Sequence, residues 1–423
     1  MDEYMTQTRT TRGQEADRTT TPGRVRRFLQ NVGPALVLAT VVIGPGSLAL
    51  NTIAGSTYGY ALLWVPVAAT ILMLIYTWSS ARIGLVTGKT LFQVTREKFG
   101  PNTARMAGLF GYLAVLAFQA GNSAAVGFAA EALFGLDFRL WALIFFAPAL
   151  GLIFLPNLYE KLELLVRIVV GLMLLTFVGT LILVGVDTGD AVAGLVPSFP
   201  DTEAIFLTLG LAATTFSIVA AVYQGYLMRE KSWGPEQLES EGLDSFVGIG
   251  VLGAISVIVL LTSAGALYGS GEPAFSAQGM AGQLEPLVGP GAFYLFTIGF
   301  FFASFSSLVV NPLIGATLLA DGLNKDSSMD GRVVKLWTGV AMVAGLAVVL
   351  AFEGSPVELL RIAQGFAVIA FPLLGYIVLS VARDRSIMGE HINKNWVQAV
   401  AVIGYITILA IVFNYLRQIL SAL

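Results

Sequence analysis

Val41-Val42-Ile43-Gly44-Pro45-Gly46-Ser47-Leu48-Ala49-Leu50-Asn51 interrupts an apolar segment that is otherwise long enough to cross a lipid bilayer. Gly-Pro-Gly cannot continue a regular helix. Pro45 lacks an N–H and its ring crowds the preceding turn, while Gly44 and Gly46 carry extra backbone entropy. Backbone broken at membrane depth persists only where protein or a watery cavity satisfies the freed N–H and C=O groups. The break therefore reads as a binding site, with Gly44, Ser47 and Asn51 as its first candidates. No Asp, Glu, His, Cys or Met stands in this stretch.

The rest of the chain places the break in a membrane. Of 423 residues, 56% are hydrophobic and only 12% charged, about half the charged share of a typical soluble domain. Eleven apolar spans are read, at approximately 32–53, 57–82, 104–131, 139–156, 163–187, 204–228, 243–269, 291–321, 333–352, 356–382 and 395–421. The expected fold class is an all-α integral membrane protein. A net charge of −3 argues against a nucleic-acid partner, and zero cysteines exclude disulfides, thiolate metal sites and Cys nucleophiles. The single histidine, His391, lies in a polar loop. Residues 1–23 are polar and Thr/Arg-rich, without the apolar core of a cleavable leader, and read as a flexible cytoplasmic tail.

Positive charge sets the expected orientation. Arg24, Arg26 and Arg27 precede span one, and Lys89, Arg96, Lys98 and Arg105 follow span two. Lys161, Arg229, Lys231, Lys325, Arg332, Lys335, Arg383, Arg385 and Lys394 mark the later even-to-odd links. The 187–203 link carries Asp187, Asp190, Asp201 and Glu203 with no basic residue. The N-terminus is expected inside and the C-terminus outside. Span six reads as broken too: Ala220-Ala221-Val222-Tyr223-Gln224-Gly225-Tyr226 puts two polar side chains and a Gly at mid-membrane. Breaks five spans apart are the pattern of inverted five-helix repeats whose first helices meet near the midplane. The expected organisation is a first repeat over 24–187, an extracellular loop over 188–203, a second inverted repeat over 204–382, and a loop with helix eleven over 383–423.

Around the break the residues resemble a known family. Gly33-Pro34-Ala35 leads into it, and Ala54-Gly55-Ser56-Thr57-Tyr58-Gly59-Tyr60-Ala61-Leu62-Leu63-Trp64-Val65 follows it. This string is similar to that of the Nramp family of proton-coupled divalent-metal transporters. Weaker echoes are Leu133-Phe134-Gly135, Leu162-Glu163, Ala220-Ala221-Val222, Ser306-Ser307, Asp321-Gly322 and Ala363-Gln364. The resemblance covers residues 28–420. It implies a LeuT-type fold, ten helices in two inverted repeats plus an eleventh, in a bacterial or archaeal plasma membrane. It also implies the backbone carbonyls of Val41 and Ala220 as ligands, and metal transport by alternating access.

The family's chemistry does not follow. Its Asp-Pro-Gly-Asn is here Gly44-Pro45-Gly46-Ser47, and its Met-Pro-His is here Tyr223-Gln224-Gly225. Its acidic pair on the third helix falls at Gln119 and Asn122, and only its span-ten Gln persists, as Gln364. Every ionisable site group has become neutral. A dehydrated divalent cation favours at least one carboxylate, and soft metals favour Met, His or Cys. Proton coupling needs a group that titrates. Weak transition-metal binding and weak proton coupling are therefore expected, and no metal ligand set or cofactor is assigned. The alternative cargo is a neutral or zwitterionic small solute, since a half-helix N-terminus attracts a carboxylate without a basic side chain. An uncoupled channel and a receptor are the competing classes. No nucleophile–base pair or cofactor motif supports an enzyme. The expected partners are the bilayer, a small-molecule or ion substrate, and a coupling ion, Na⁺ or H⁺. Gln119 and Asn122 share a helix face and read as either a polar pathway or helix-to-helix hydrogen bonding. Asn311-Pro312 reads as a structural kink, and Arg167 and Arg361 as residues whose tips reach the membrane interface.

Overall fold

The computed structural model describes residues 44–154, 168, 175–230, 233–270 and 274–422. The expected tail over 1–23, Val41 and Arg167 lie outside them. Regular structure among the described residues is helical throughout. The elements that position the site are α1 (Pro45–Tyr58), α2 (Trp64–Thr87), α3 (Leu91–Phe99), α4 (Pro101–Phe134) and α5 (Phe138–Leu152). They continue with α6 (Leu175–Val184), α7 (Thr202–Thr215), α8 (Ile218–Glu230), α9 (Leu238–Leu267) and α10 (Ala292–Gly322). The last are α11 (Arg332–Ala351), α12 (Pro356–Phe366), α13 (Phe371–Ala382) and α14 (Asn395–Ala422). Among the described residues, seven helical stretches are long and apolar enough to cross a membrane. Span two begins later than expected, at Trp64, because Gly59, with φ at +56°, ends α1 and opens a turn. Leu109, Leu143, Ile144, Leu336 and Val343 point outward, which supplies an apolar girdle for lipid.

Lipid tails give helices no hydrophobic reason to associate, so close backbone approach at small residues supplies dispersion instead. The α4–α10 contact, the most extensive among the described residues, is built this way. A Cβ on Gly108 would lie 2.9 Å from the Leu318 carbonyl oxygen, and one on Gly322 would lie 2.8 Å from that of Ala104. The small-residue stripe of span three, Ala114, Ala120, Gly121, Ala124 and Ala125, is buried accordingly. α1 lies on α9 in the same manner. A Cβ on Gly55 would stand 2.4 Å from the Leu260 carbonyl oxygen. Ser263 Oγ donates to the Thr52 carbonyl at 2.6 Å, and the hydroxyls of Ser47 and Ser256 meet at 3.2 Å.

Polar contacts tie the two ends of the bundle. At the end rich in basic residues, Tyr226 Oη donates to Asp321 Oδ2 at 2.5 Å, and Arg96 Nη2 stands 3.8 Å from Asp321 Oδ1. At the opposite end Tyr58 Oη donates to Asp201 Oδ1 at 2.9 Å, and Arg361 pairs with Glu203. Arg361 is thus held by a carboxylate across the bundle instead of merely reaching the interface. Such an exposed pair contributes about 0–1 kcal/mol.

Gly55→Val should lower the thermal midpoint of the purified protein by the equivalent of at least about 1–3 kcal/mol, the cost of overpacking against rigid backbone. Gly250→Val, where nothing lies within 4 Å of the new Cβ, should leave it within about 0.5 kcal/mol. Equal midpoints for the two variants would contradict the close α1–α9 contact.

Candidate functional site

α1 begins at Pro45. Gly44 is extended, with φ −92° and ψ −175°, and no side chain caps the helix. Pro at the first helical position loses nothing, because that N–H has no intrahelical acceptor in any helix. The N–H groups of Gly46 and Ser47 follow it in the first turn, and the first bond made inside the described helix is Leu48 N–H to the Gly44 carbonyl at 3.4 Å. An uncapped helix start of this kind carries partial positive charge. Asn51 Nδ2 donates to the Ser47 carbonyl at 2.7 Å, which holds the turn behind Ser47.

Span six is broken as expected, but elsewhere. α7 stops at Thr215, Phe216 is extended at φ −106° and ψ 91°, and α8 starts at Ile218. Ser217 Oγ accepts from Ala220 N–H at 3.3 Å and serves as the cap. Tyr223, Gln224 and Gly225 lie inside the continuous α8. Gly225 marks a close approach instead of a break: a Cβ there would be 3.0 Å from the Ser80 carbonyl oxygen, and one on Gly84 3.1 Å from that of Gly225. The signal at the true break was Thr214-Thr215-Phe216-Ser217, two β-branched residues and an aromatic, all poor in helix interiors, followed by an N-cap residue.

The two breaks meet at a cavity of about 30 Å³. Gly44 and, from α1, Gly46 and Ser47 stand on its wall, and α4 contributes Phe118 and Asn122. Ala213, Thr214, Ser217 and Ala220 come from the second broken helix, Asn311 from α10 and Gln364 from α12. A space of this size accommodates a water molecule or two. Asn122 Nδ2 and Gln364 Oε1 are buried there without a hydrogen-bond partner. Buried amides left this way cost about 1–3 kcal/mol each unless a water or ligand meets them. Gln364 is seated against α1, since a Cβ on Gly46 would stand 2.4 Å from its Nε2. Among the described residues, none on the wall is ionisable. Among the described residues no three His, Cys, Asp or Glu side chains converge as a metal cluster would.

Five of the expected residues therefore gather on one wall: Gly44, Ser47, Asn122, Ala220 and Gln364. The others are placed differently. Asn51 stands behind Ser47 and off the wall. Gln119 Nε2 donates to the Leu308 carbonyl at 3.0 Å, a tie between α4 and α10. Tyr223 stacks on Tyr226 with ring centroids 5.8 Å apart, off the wall. Gln224 is fully buried in α8 with both amide atoms lacking a partner. These side chains do not line the cavity because the break lies at Phe216–Ser217, so the turn that faces it ends at Ala220. Thr214, Ser217, Phe118, Ala213 and Asn311 are the wall residues that sequence reasoning missed. α10 runs through Pro312 as one helix, and Asn311 stands on the cavity wall. Its signal was an amide in an otherwise apolar stretch.

Comparison with known proteins extends these observations. The family model for natural resistance-associated macrophage protein-like proteins matches residues 35–418. The divalent metal cation transporter MntH of Verminephrobacter eiseniae is 26% identical over 95% of this chain and 93% of its own length. That of Aeromonas hydrophila is 29% identical over 90% and 94%. Among solved structures, the Eremococcus coleocola manganese transporter in complex with an aromatic bis-isothiourea substituted compound superposes with a TM-score of 0.73. It is 17% identical and covers 93% of this chain and 87% of that one. MhsT in complex with L-phenylalanine gives 0.58 at 14% identity, over 89% and 98%. Both are likenesses of fold. The fold is LeuT-type, two inverted five-helix repeats plus an eleventh helix with the first and sixth discontinuous. From its helices, its broken spans and the extent of these matches, the chain is a membrane protein that belongs to the Nramp family.

Proposed function

We propose that this protein is a secondary transporter that exposes the junction cavity alternately to the two sides of the membrane, and that it holds its cargo by dipoles alone. The single observation that carries this is a cavity wall at the meeting of two broken helices with no ionisable side chain among its described residues. The polar ties at the two ends, Tyr226–Asp321–Arg96 and Arg361–Glu203, are the contacts that would open in turn. The N-terminus is placed in the cytoplasm and the C-terminus outside, from the distribution of Lys and Arg. The coupling ion is Na⁺ or H⁺. Sodium needs only carbonyl and hydroxyl oxygens, and the described residues of the cavity wall offer no acid for a proton. No enzymatic step is assigned.

Two kinds of cargo fit a wall of dipoles. The names of the relatives, divalent metal cation transporters, support a metal ion. Such an ion must keep much of its water shell, because amide and hydroxyl dipoles do not repay the dehydration of an unpaired divalent charge. The uncapped start of α1 favours instead a neutral or zwitterionic solute that presents a carboxylate or another acceptor.

Isothermal titration of the purified protein with Mn²⁺ should give a dissociation constant no tighter than about 1 mM, the regime of sites with few charged ligands. Micromolar binding that Ser47→Ala or Asn122→Ala abolishes would overturn the dipole-only reading. Gly44→Asp should tighten Mn²⁺ binding by at least about tenfold, a gain of roughly 1.4 kcal/mol. The backbone at Gly44 tolerates a side chain, and its Cβ would point toward Ser307 Oγ at 3.1 Å.

A further inference from the structure

Glu239, Glu241 and Asp244 crowd the start of α9. The helix has 30 residues, a length of about 45 Å against about 30 Å of hydrocarbon. Its apolar run begins at Phe246, so these acids lie outside the span, at the end of the bundle rich in basic residues. Glu239 is exposed, and Asp244 is buried and engaged. Glu241 is fully buried. Its Oε1 accepts from Ser245 Oγ at 2.5 Å, and its Oε2 has no hydrogen-bond partner.

The cation whose charge acts on Glu241 is Arg82 of α2, yet its contacts are elsewhere. Arg82 Nη2 donates to the His391 carbonyl at 2.7 Å, and its Cζ lies 4.4 Å over the Trp78 ring. The two helices are close at this level, since a Cβ on Gly242 would stand 3.6 Å from Trp78 Nε1. We propose that Glu241 is a proton-binding site and Arg82 its switching partner. With the proton on Glu241, Arg82 holds the 383–394 link through His391; with the proton gone, Arg82 pairs with Glu241 and releases that link.

A carboxyl with no exposed surface and one oxygen lacking a donor loses its hydration on ionising, so burial favours the protonated form. Asp244, one turn along, adds like charge in the same direction. When the Glu241 proton leaves to water, Oε2 needs a donor, and a guanidinium supplies a charge-assisted one. Arg82 then exchanges a carbonyl and a ring face for a carboxylate. A further hold of the link on α2, Asn393 Nδ2 to Ser79 Oγ at 2.9 Å, stays. The remaining charged groups near this end of α9, Glu236, Glu239 and Glu390, are exposed. Among the described residues, α1 and α7 bring no charged side chain to it. Glu241 is off the junction wall, so this site stands whatever cargo the cavity takes.

The test is pH-difference infrared spectroscopy of the purified full-length protein from about pH 5 to about pH 9, with tryptophan fluorescence on the same samples. A protonated-carboxyl band should disappear as pH rises, be absent in Glu241→Gln and persist in Glu239→Gln. Arg82→Gln removes the cation that favours the ionised form and should move the loss of the band upward by at least about one pH unit. Ser245→Ala removes the one donor to the carboxyl and should move it the same way, which keeps the test open if Glu241→Gln does not fold. Fluorescence should change over the same range as the guanidinium leaves Trp78, and the change should vanish in Trp78→Phe and in Glu241→Gln. The folded protein keeps a proton that the unfolded chain releases, so the thermal midpoint should fall as pH rises through this range, less steeply in Glu241→Gln. A band that never titrates, or that ignores Glu241→Gln and Ser245→Ala, would overturn the proton site. A titrating band with no Trp78 signal and no response to Arg82→Gln would overturn the switch.

Discussion

A polypeptide inside a membrane must satisfy its backbone N–H and C=O groups within the protein, since lipid supplies no partner. Everything distinctive here follows from two places where that demand is suspended. At Gly44 and at Phe216–Ser217 the helical ladder stops, and the released groups need a neighbour. The chain brings the two breaks together and surrounds them with amides and hydroxyls from α4, α10 and α12. A cavity with partly unanswered polar atoms results, and such a cavity is where a ligand is worth most.

Holding two broken helices in register needs a rigid frame, and the frame is made by contact distance. Gly108 against Leu318, Gly322 against Ala104, and Gly55 against Leu260 let backbones touch where any larger residue would separate them. Dispersion between closely packed helices then does what the hydrophobic effect cannot do in lipid. Asn122 and Gln119 sit one turn apart on α4, yet they have different roles. Gln119 ties α4 to α10, while Asn122 keeps its amide on the cavity wall. The first strengthens the frame and the second belongs to the site.

The chain belongs to the Nramp family, and among the described residues the wall of its junction cavity carries amides and hydroxyls but no ionisable side chain. Amides and hydroxyls act through hydrogen-bond dipoles, whereas a dehydrated divalent ion favours at least one carboxylate. An adjoining cavity is lined mainly by apolar side chains, among them Leu209, Phe216 and Phe371.

Much of this was legible in the residues. Helix number, the approximate spans and the break at Gly44-Pro45-Gly46 follow from apolar run length and from the backbone limits of Pro and Gly, which act locally. The neutrality of the site was equally plain, because an absent carboxylate needs no structure to be noticed. The second break was not legible in detail. Gly225 drew attention because Gly weakens helices, but its role is contact with Ser80 on α2, which only packing reveals. The true break has no Gly or Pro, and it holds because Ser217 caps the next helix and a cavity takes the place of the missing turn. Likewise Asn311 and Asn122 lie far apart in sequence, and their convergence depends on the crossing of α4 and α10. Local backbone chemistry is written in the sequence; which freed groups share one cavity is decided by how the helices pack.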